Sequence, residues 1–187
     1  MNFVPTSLKG VIVVEPDLFR DGRGFFLETF RRDKYARGGI DAEFRQDNQS
    51  RSGHNTIRGL HAQRQHPQGK LVRAVSGSIL DVVVDIRRGS PSYLKWIAIE
   101  LSADNFRQIY VPPGFAHGIC IISEFADIEY KCTDYYDPSD ELRIAWNDPA
   151  IGIRWPVANP ILSEKDHQAR TTSDQIGLLP SYSEKRS

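Results

Sequence analysis

Lys70-Leu71-Val72-Arg73-Ala74-Val75-Ser76-Gly77-Ser78-Ile79-Leu80-Asp81-Val82-Val83-Val84-Asp85-Ile86 is the stretch whose reading decides the fold. Two runs rich in Val, Leu and Ile stand either side of Ser76-Gly77-Ser78. β-Branched side chains suit a pleated surface, and a Ser-Gly-Ser cluster favours a turn, so the reading is strand, turn, strand. The same pattern extends in both directions. Val11 to Val14, Gly24 to Phe30, Phe44 to Asn48 and Thr56 to Leu60 precede it, while Lys95 to Leu101, Phe106 to Val111, Gly118 to Ile122 and Ala126 to Tyr135 follow. Asp21-Gly22, Arg88-Gly89-Ser90-Pro91 and Pro113-Gly114 punctuate the series. Many short strands separated by Gly and Pro predict an all-β sandwich or barrel, not alternating strands and helices. Helical signal is confined to Arg32 to Arg37, closed by Gly38-Gly39, and to a start near Ser163.

With 187 residues, 40% of them hydrophobic, the chain is long enough for one full core and too short for two ordinary domains without a clear linker. Residues 1–187 are read as a single domain whose polar end, from Ser181, is frayed. Lys plus Arg equals Asp plus Glu at 24 each, so no net field draws the protein to nucleic acid or to a membrane surface, and neither is expected as a partner. No apolar run approaches the roughly 20 residues that span a bilayer, and Met1 to Thr6 lacks the pattern of a secretion signal; a soluble cytoplasmic protein is expected. Cys120 and Cys132 sit in apolar segments without the spacing of a metal knuckle or redox motif, and are read as buried thiols.

Period-two counting assigns faces. Ile128, Tyr130 and Cys132 share one side of their run and Asp127, Glu129, Lys131 and Thr133 the other, which turns Tyr130 inward. The same count from Thr56 puts His61 with Ile57 and Gly59, and Arg58 opposite. Arg58 and His61 reach a common pocket only if Gly59 sits in a bulge.

Histidine is scarce, with five copies, and His61 lies just upstream of Lys70. Imidazole titrates near neutrality and suits a general base acting on a carbon acid beside a carbonyl, while an ammonium suits the developing oxyanion. An inward Tyr130 adds a phenol able to return a proton. Asp166 has two readings: a carboxylate that orients His61, or an acid at the start of a helix capped by Ser163. Arg23, Arg58, Lys70 and Lys165, with His117 as a further donor, suffice to hold a diphosphate, and Tyr136 offers a ring for a nucleobase.

Pro112-x-Gly114-x-x-His117 resembles a motif of the cupin superfamily, whose barrels often hold a metal. Here His61 and His66 are separated by Arg64 and no suitably placed Glu joins them, which disfavours a shared ion. No metal is expected.

Taken together, Gly24-Phe25-Phe26-Leu27-Glu28-Thr29-Phe30, Gln46-Asp47-Asn48, Arg58-Gly59-Leu60-His61, Gln68-Gly69-Lys70-Leu71-Val72, Asp81-Val82-Val83-Val84-Asp85-Ile86-Arg87, Pro113-Gly114-Phe115-Ala116-His117-Gly118, Tyr130-Lys131-Cys132-Thr133-Asp134-Tyr135-Tyr136, Trp146-Asn147-Asp148-Pro149 and Leu162-Ser163-Glu164-Lys165-Asp166 resemble the dTDP-4-dehydrorhamnose 3,5-epimerase family. The resemblance implies a cupin-type jelly-roll β-barrel or sandwich with a few short helices, working without metal or organic cofactor. It also implies a homodimer with exchanged N-terminal strands and a dTDP-sugar substrate, epimerised at carbons 3 and 5. Carried over by position, it makes His61 the base, Asp166 its partner, Lys70 the enolate stabiliser and Tyr130 the acid. Arg23, Glu28, Gln46, Asn48, Arg58, His117, Glu141 and Lys165 would contact the nucleotide sugar, with Tyr136 stacked on thymine. Ala62 departs from the aromatic the family commonly has there. Inversion of one carbon only, a metal-dependent cupin and a non-catalytic binding module are the rival readings.

Overall fold

In the computed structural model, which describes residues 1–183, the chain runs through β1 (Asn2–Pro5), β2 (Ile12–Glu15), β3 (Phe19–Asp21), β4 (Gly24–Phe26), α1 (Arg32–Arg37), β5 (Gln46–Gly53), β6 (Ile57–Gln63), β7 (Lys70–Ser76) and β8 (Ser78–Asp85). It continues through β9 (Trp96–Ser102), β10 (Gln108–Val111), β11 (Phe115–Ile121), β12 (Phe125–Cys132), β13 (Glu141–Arg143), α2 (Glu164–His167) and a 3₁₀ turn (Ile176–Leu178). A six-stranded sheet, β1-β2-β10-β7-β12-β5, and a five-stranded sheet, β13-β6-β11-β8-β9, form the two layers of a jelly roll; β3 and β4 pair only with each other. The pairings within the sheets are antiparallel.

The Ser76-Gly77-Ser78 turn does not close a hairpin. It carries the chain from β7 in one sheet to β8 in the other. Gly77 is required there: its φ is +69°, and a Cβ would stand 2.0 Å from the carbonyl oxygen of Phe125.

Between the sheets Val72, Ala74, Ile109, Val111, Ala126 and Ile128 of one layer meet Ile79, Val83, Leu101, Ile119 and Ile121 of the other. Fully burying each of the larger ones stabilises the fold by about 1.5–3 kcal/mol. The outer faces are covered too. Tyr35 of α1 and Ile40 pack with Ile12, Val14, Leu71 and Tyr110, while Ile144, Ile151 and Leu179 pack with Leu60, Val82 and Val84. Burial on both sides explains why β8 reads as an almost unbroken apolar run.

The expected Gly24 to Phe30 strand ends at Phe26, because β4 finds no partner beyond β3. Phe44 is not in a strand; its ring packs edge-on against Phe30 at 5.2 Å. β5 instead extends to Gly53, its polar sequence held by register with β12 from Phe125↔Gly53 to Cys132↔Gln46. The frayed end expected from Ser181 is corrected in part: Arg88 and Ser181 form a bridge, and the Tyr182 amide donates to the Arg88 carbonyl. Residues 184–187 lie outside the described residues. Among the described residues no helix is long and apolar enough to cross a membrane.

Candidate active site

A cavity of about 430 Å³ lies between the two sheets. Arg58 and His61 of β6, His117 of β11 and Glu141 of β13 line it from the five-stranded sheet. Gln46 and Asn48 of β5, Lys70 of β7 and Tyr130 and Cys132 of β12 line it from the six-stranded sheet. Tyr136, Ser163, Lys165 and Asp166 complete it. The register sets the second wall in rows: Lys70, Cys132 and Gln46 are cross-strand neighbours, as are Val72, Tyr130 and Asn48.

Arg58 and His61 do share the pocket, by the device their parity demanded. Between the pairs His117↔His61 and Ile119↔Arg58 the register of β6 against β11 shifts, so β6 carries an extra residue there. That bulge falls on Gly59, with φ +117°; a Cβ on it would stand 2.6 Å from Cα of Gly118. Two glycines therefore let the strands approach closely at the point where they present their histidines.

His61 Nε2 donates to Asp166 Oδ1 at 2.6 Å. In neutral imidazole this leaves the lone pair on Nδ1, the nitrogen able to accept a proton. Asp166 fills both roles its sequence offered. The Ser163 hydroxyl donates to Asp166 Oδ2 at 2.8 Å and accepts from the Asp166 amide at 3.2 Å, capping α2. Burial pushes the Asp166 carboxyl up, but the hydrogen bond and charge of His61, with the bonds from Ser163 and the Gly59 amide, outweigh it and hold the group below its ordinary value.

Burial lowers the Lys70 ammonium, opposed by Cys132, Asp81 and Glu141. The Tyr130 phenol is raised, chiefly by burial and then by Cys132, with Arg58 pulling the other way. A phenol so placed keeps its proton and can give it. Gln46 Nε2 donates to Asn48 Oδ1 at 2.9 Å, Asn48 Nδ2 to Cys132 Sγ at 3.6 Å, and the Tyr136 amide to Gln46 Oε1 at 2.9 Å. These bonds fix the polar wall beside Tyr130.

Arg23 and Glu28 are not in this pocket. Arg23, its side chain 91% exposed, sits at the tip of the β3–β4 hairpin and bonds Asp21 at 2.6 Å. Glu28 pairs with Lys34 at 2.8 Å. The Asp21-Gly22 turn keeps Arg23 at the far end of a ribbon that joins neither large sheet. β1, part of the N-terminal segment expected to be exchanged, pairs with β2 of its own chain. Sequence reasoning passed over Cys132, Gln63 and Gln68 as lining residues, and Asp81, whose Oδ2 accepts from His117 Nε2 at 2.8 Å. An acid inside the Ile79 to Val84 run was the available signal for Asp81.

The donor set does not fit a metal. Among the described residues no three His, Cys, Asp or Glu side chains are grouped to hold an ion.

A jelly roll whose two layers present an imidazole–carboxylate couple, an ammonium and a raised phenol to one polar cavity is the framework of a cupin-type enzyme built for acid–base chemistry. Comparison with known proteins gives the family. Residues 5–174 match the family model described as dTDP-4-dehydrorhamnose 3,5-epimerase, and the chain belongs to that family. It is 48% identical over 172 residues to the dTDP-4-dehydrorhamnose 3,5-epimerase of Neisseria gonorrhoeae, covering 91% of this chain and about half, 52%, of that protein's length. It is 46% identical to the protein of the same name from Methanothermobacter thermautotrophicus, covering 88% of this chain and 91% of the relative. The crystal structure of dTDP-6-deoxy-D-glucose-3,5-epimerase from Legionella pneumophila, in complex with dTDP-4-keto-L-rhamnose, superimposes with a TM-score of 0.94 at 44% identity, covering 98% of this chain and 99% of that one. A dTDP-4-dehydrorhamnose 3-epimerase from Streptomyces niveus is 36% identical over 97% of this chain and 90% of its own.

Proposed function

We propose that this chain converts dTDP-4-dehydro-6-deoxy-D-glucose into dTDP-4-dehydro-L-rhamnose by inverting carbons 3 and 5, in dTDP-rhamnose biosynthesis. One observation carries the chemistry: His61, bonded to Asp166 of α2, and Tyr130 stand on different sheets, lining one cavity from two sides. Inversion needs a base on one face of the carbon and an acid on the other.

His61 Nδ1 removes the proton from the carbon beside the ketone, and the electron pair moves onto the carbon-4 oxygen. Asp166 stabilises the imidazolium that results. Lys70 holds the oxyanion from a desolvated position, where its charge acts more strongly than in water. The pair returns to carbon as the Tyr130 hydroxyl delivers a proton to the opposite face. Carbons 3 and 5 flank the same carbonyl, so one pocket serves both, and no redox step occurs. Gln46, Asn48, Arg58, His117, Glu141 and Lys165 hold the nucleotide sugar, and Tyr136 stacks on thymine.

Arg23 and Glu28 enter this scheme through a homodimer in which the N-terminal region reaches a partner's pocket. Phe19, Phe25 and Phe26 on the β3–β4 ribbon are 61%, 56% and 69% exposed, a concentration of apolar surface suited to such docking. The same reading treats the chain as one domain, working in the cytoplasm.

Incubation with dTDP-4-dehydro-6-deoxy-D-glucose in heavy water tests the reading. Deuterium is expected at both carbons. Uptake at one carbon alone would instead give the activity named for the Streptomyces niveus relative, and uptake at neither would end the proposal.

A further inference from the structure

Asp81 is a buried acid in the sandwich interior that the scheme above leaves without a task. It is 0% exposed, and its register partner on β11 is Ile119 while that of Val83 is His117, so Asp81 points inward with the apolar residues Ile79 and Val83. Oδ2 accepts from His117 Nε2, and Oδ1 has no hydrogen-bond partner. A buried carboxylate with a bare oxygen is a liability for folding that an apolar residue of similar size would remove. His117 is the cross-strand neighbour of His61 and lines the cavity with Lys70.

We propose that Asp81 is a positioning residue: it fixes the His117 ring with its proton on Nε2 and serves as the counter-charge that lets His117 present Nδ1–H, beside Lys70, to the oxyanion formed in the reaction. Two N–H donors on one imidazole require the charged ring, and a carboxylate behind it stabilises that charge as Asp166 does for His61. The pocket then holds two cations, Lys70 and His117, on different sheets, both aimed at negative charge that exists only after the proton has left. This rests on the epimerase reading and names a further residue for the same site.

The test is Asp81→Asn, which keeps the shape and removes the charge. Because Asp81 acts on the transition state, kcat should fall about 10- to 100-fold, the range seen when carboxylates behind metal-bound histidines are removed, while KM stays unchanged. In a double-mutant cycle with His117→Asn, the double variant should be no slower than His117→Asn alone. Unchanged kcat in Asp81→Asn, or losses that multiply, would overturn the proposal. A readout free of any folding defect comes from ¹⁵N-histidine NMR of the wild-type protein, where His117 should carry a proton on both Nε2 and Nδ1; a spectrum of a neutral ring, on either nitrogen, would also overturn it. If the wild type exchanges no deuterium at all, the functional reading fails, and the spectrum still judges the Asp81–His117 couple by itself.

Discussion

The molecule builds two histidine–carboxylate couples side by side on adjacent strands, and they differ in everything but their first hydrogen bond. His61 takes its carboxylate from α2, a separate element packed against β6, and both oxygens of Asp166 are bonded. His117 takes its carboxylate from the neighbouring strand β8, deep in the sandwich, and one oxygen of Asp81 is bare. The first is an ordinary capped helix start put to use; the second leaves one oxygen of a fully buried carboxylate without a hydrogen-bond partner. A satisfied carboxylate is compatible with a purely structural role, so its function has to be read from its position. An unsatisfied one carries a cost to folding that calls for an explanation, which its contact with His117 supplies.

The largest effect should separate the two histidines. His61→Ala is expected to lower the epimerisation rate by about 10²–10⁴-fold, the usual contribution of a general base, and to stop solvent deuterium entering carbons 3 and 5. His117→Asn should leave slow exchange measurable at both. Equal, complete loss in both variants would erase the distinction between the couples.

Lys70→Gln comes next, with kcat down about 10²–10³-fold, the size expected for removing one oxyanion donor. Steady-state kinetics should show this in kcat with little change in KM. A change confined to KM would move Lys70 from the oxyanion to ground-state binding.

Gly59→Ala attacks the geometry shared by both couples. Its φ of +117° and the 2.6 Å approach to Gly118 leave no room for a Cβ, so chemical denaturation should show a loss of about 1–3 kcal/mol. Unaltered stability would mean the bulge is not the constraint that brings Arg58 and His61 together.

The smallest effect is in acid stability. The folded-state carboxyl of Asp166 is held below its ordinary value of 3.8, so its contribution is fully present above that value and is lost as pH falls through the folded-state pKa. Urea melts of wild type and Asp166→Asn should differ more at pH 7 than at pH 3. A gap that does not narrow in acid would contradict the ionised Asp166 described here.

Much of this was legible in the chain. Val-rich runs with glycine punctuation gave the sandwich, and period two turned Tyr130 inward, because alternation survives wherever one face meets the core. Strands β1, β3 and β13 were missed: they are three or four residues long, too short for a period to show. β5 was placed only at its start, since its later residues are polar and held by the neighbouring strand and not by burial. The meeting of Arg58 and His61 hinged on a bulge that spacing permits but does not require. Glu28 was identified by family pattern and Arg23 by that pattern and its charge, neither of which says which chain's site a residue serves. Asp81 stands in a block that carries the family resemblance, yet pattern alone assigned no role to an acid within a strand buried on both faces.

The central claim is that His61 removes the proton and Tyr130 returns it from the other side. Tyr130→Phe tests it most directly, by following deuterium uptake and product stereochemistry in the same heavy-water reaction. The account predicts continued uptake at carbons 3 and 5 with inversion falling about 10²-fold or more, since His61 can still take and give back a proton on its own face. Inversion at the wild-type rate would contradict it.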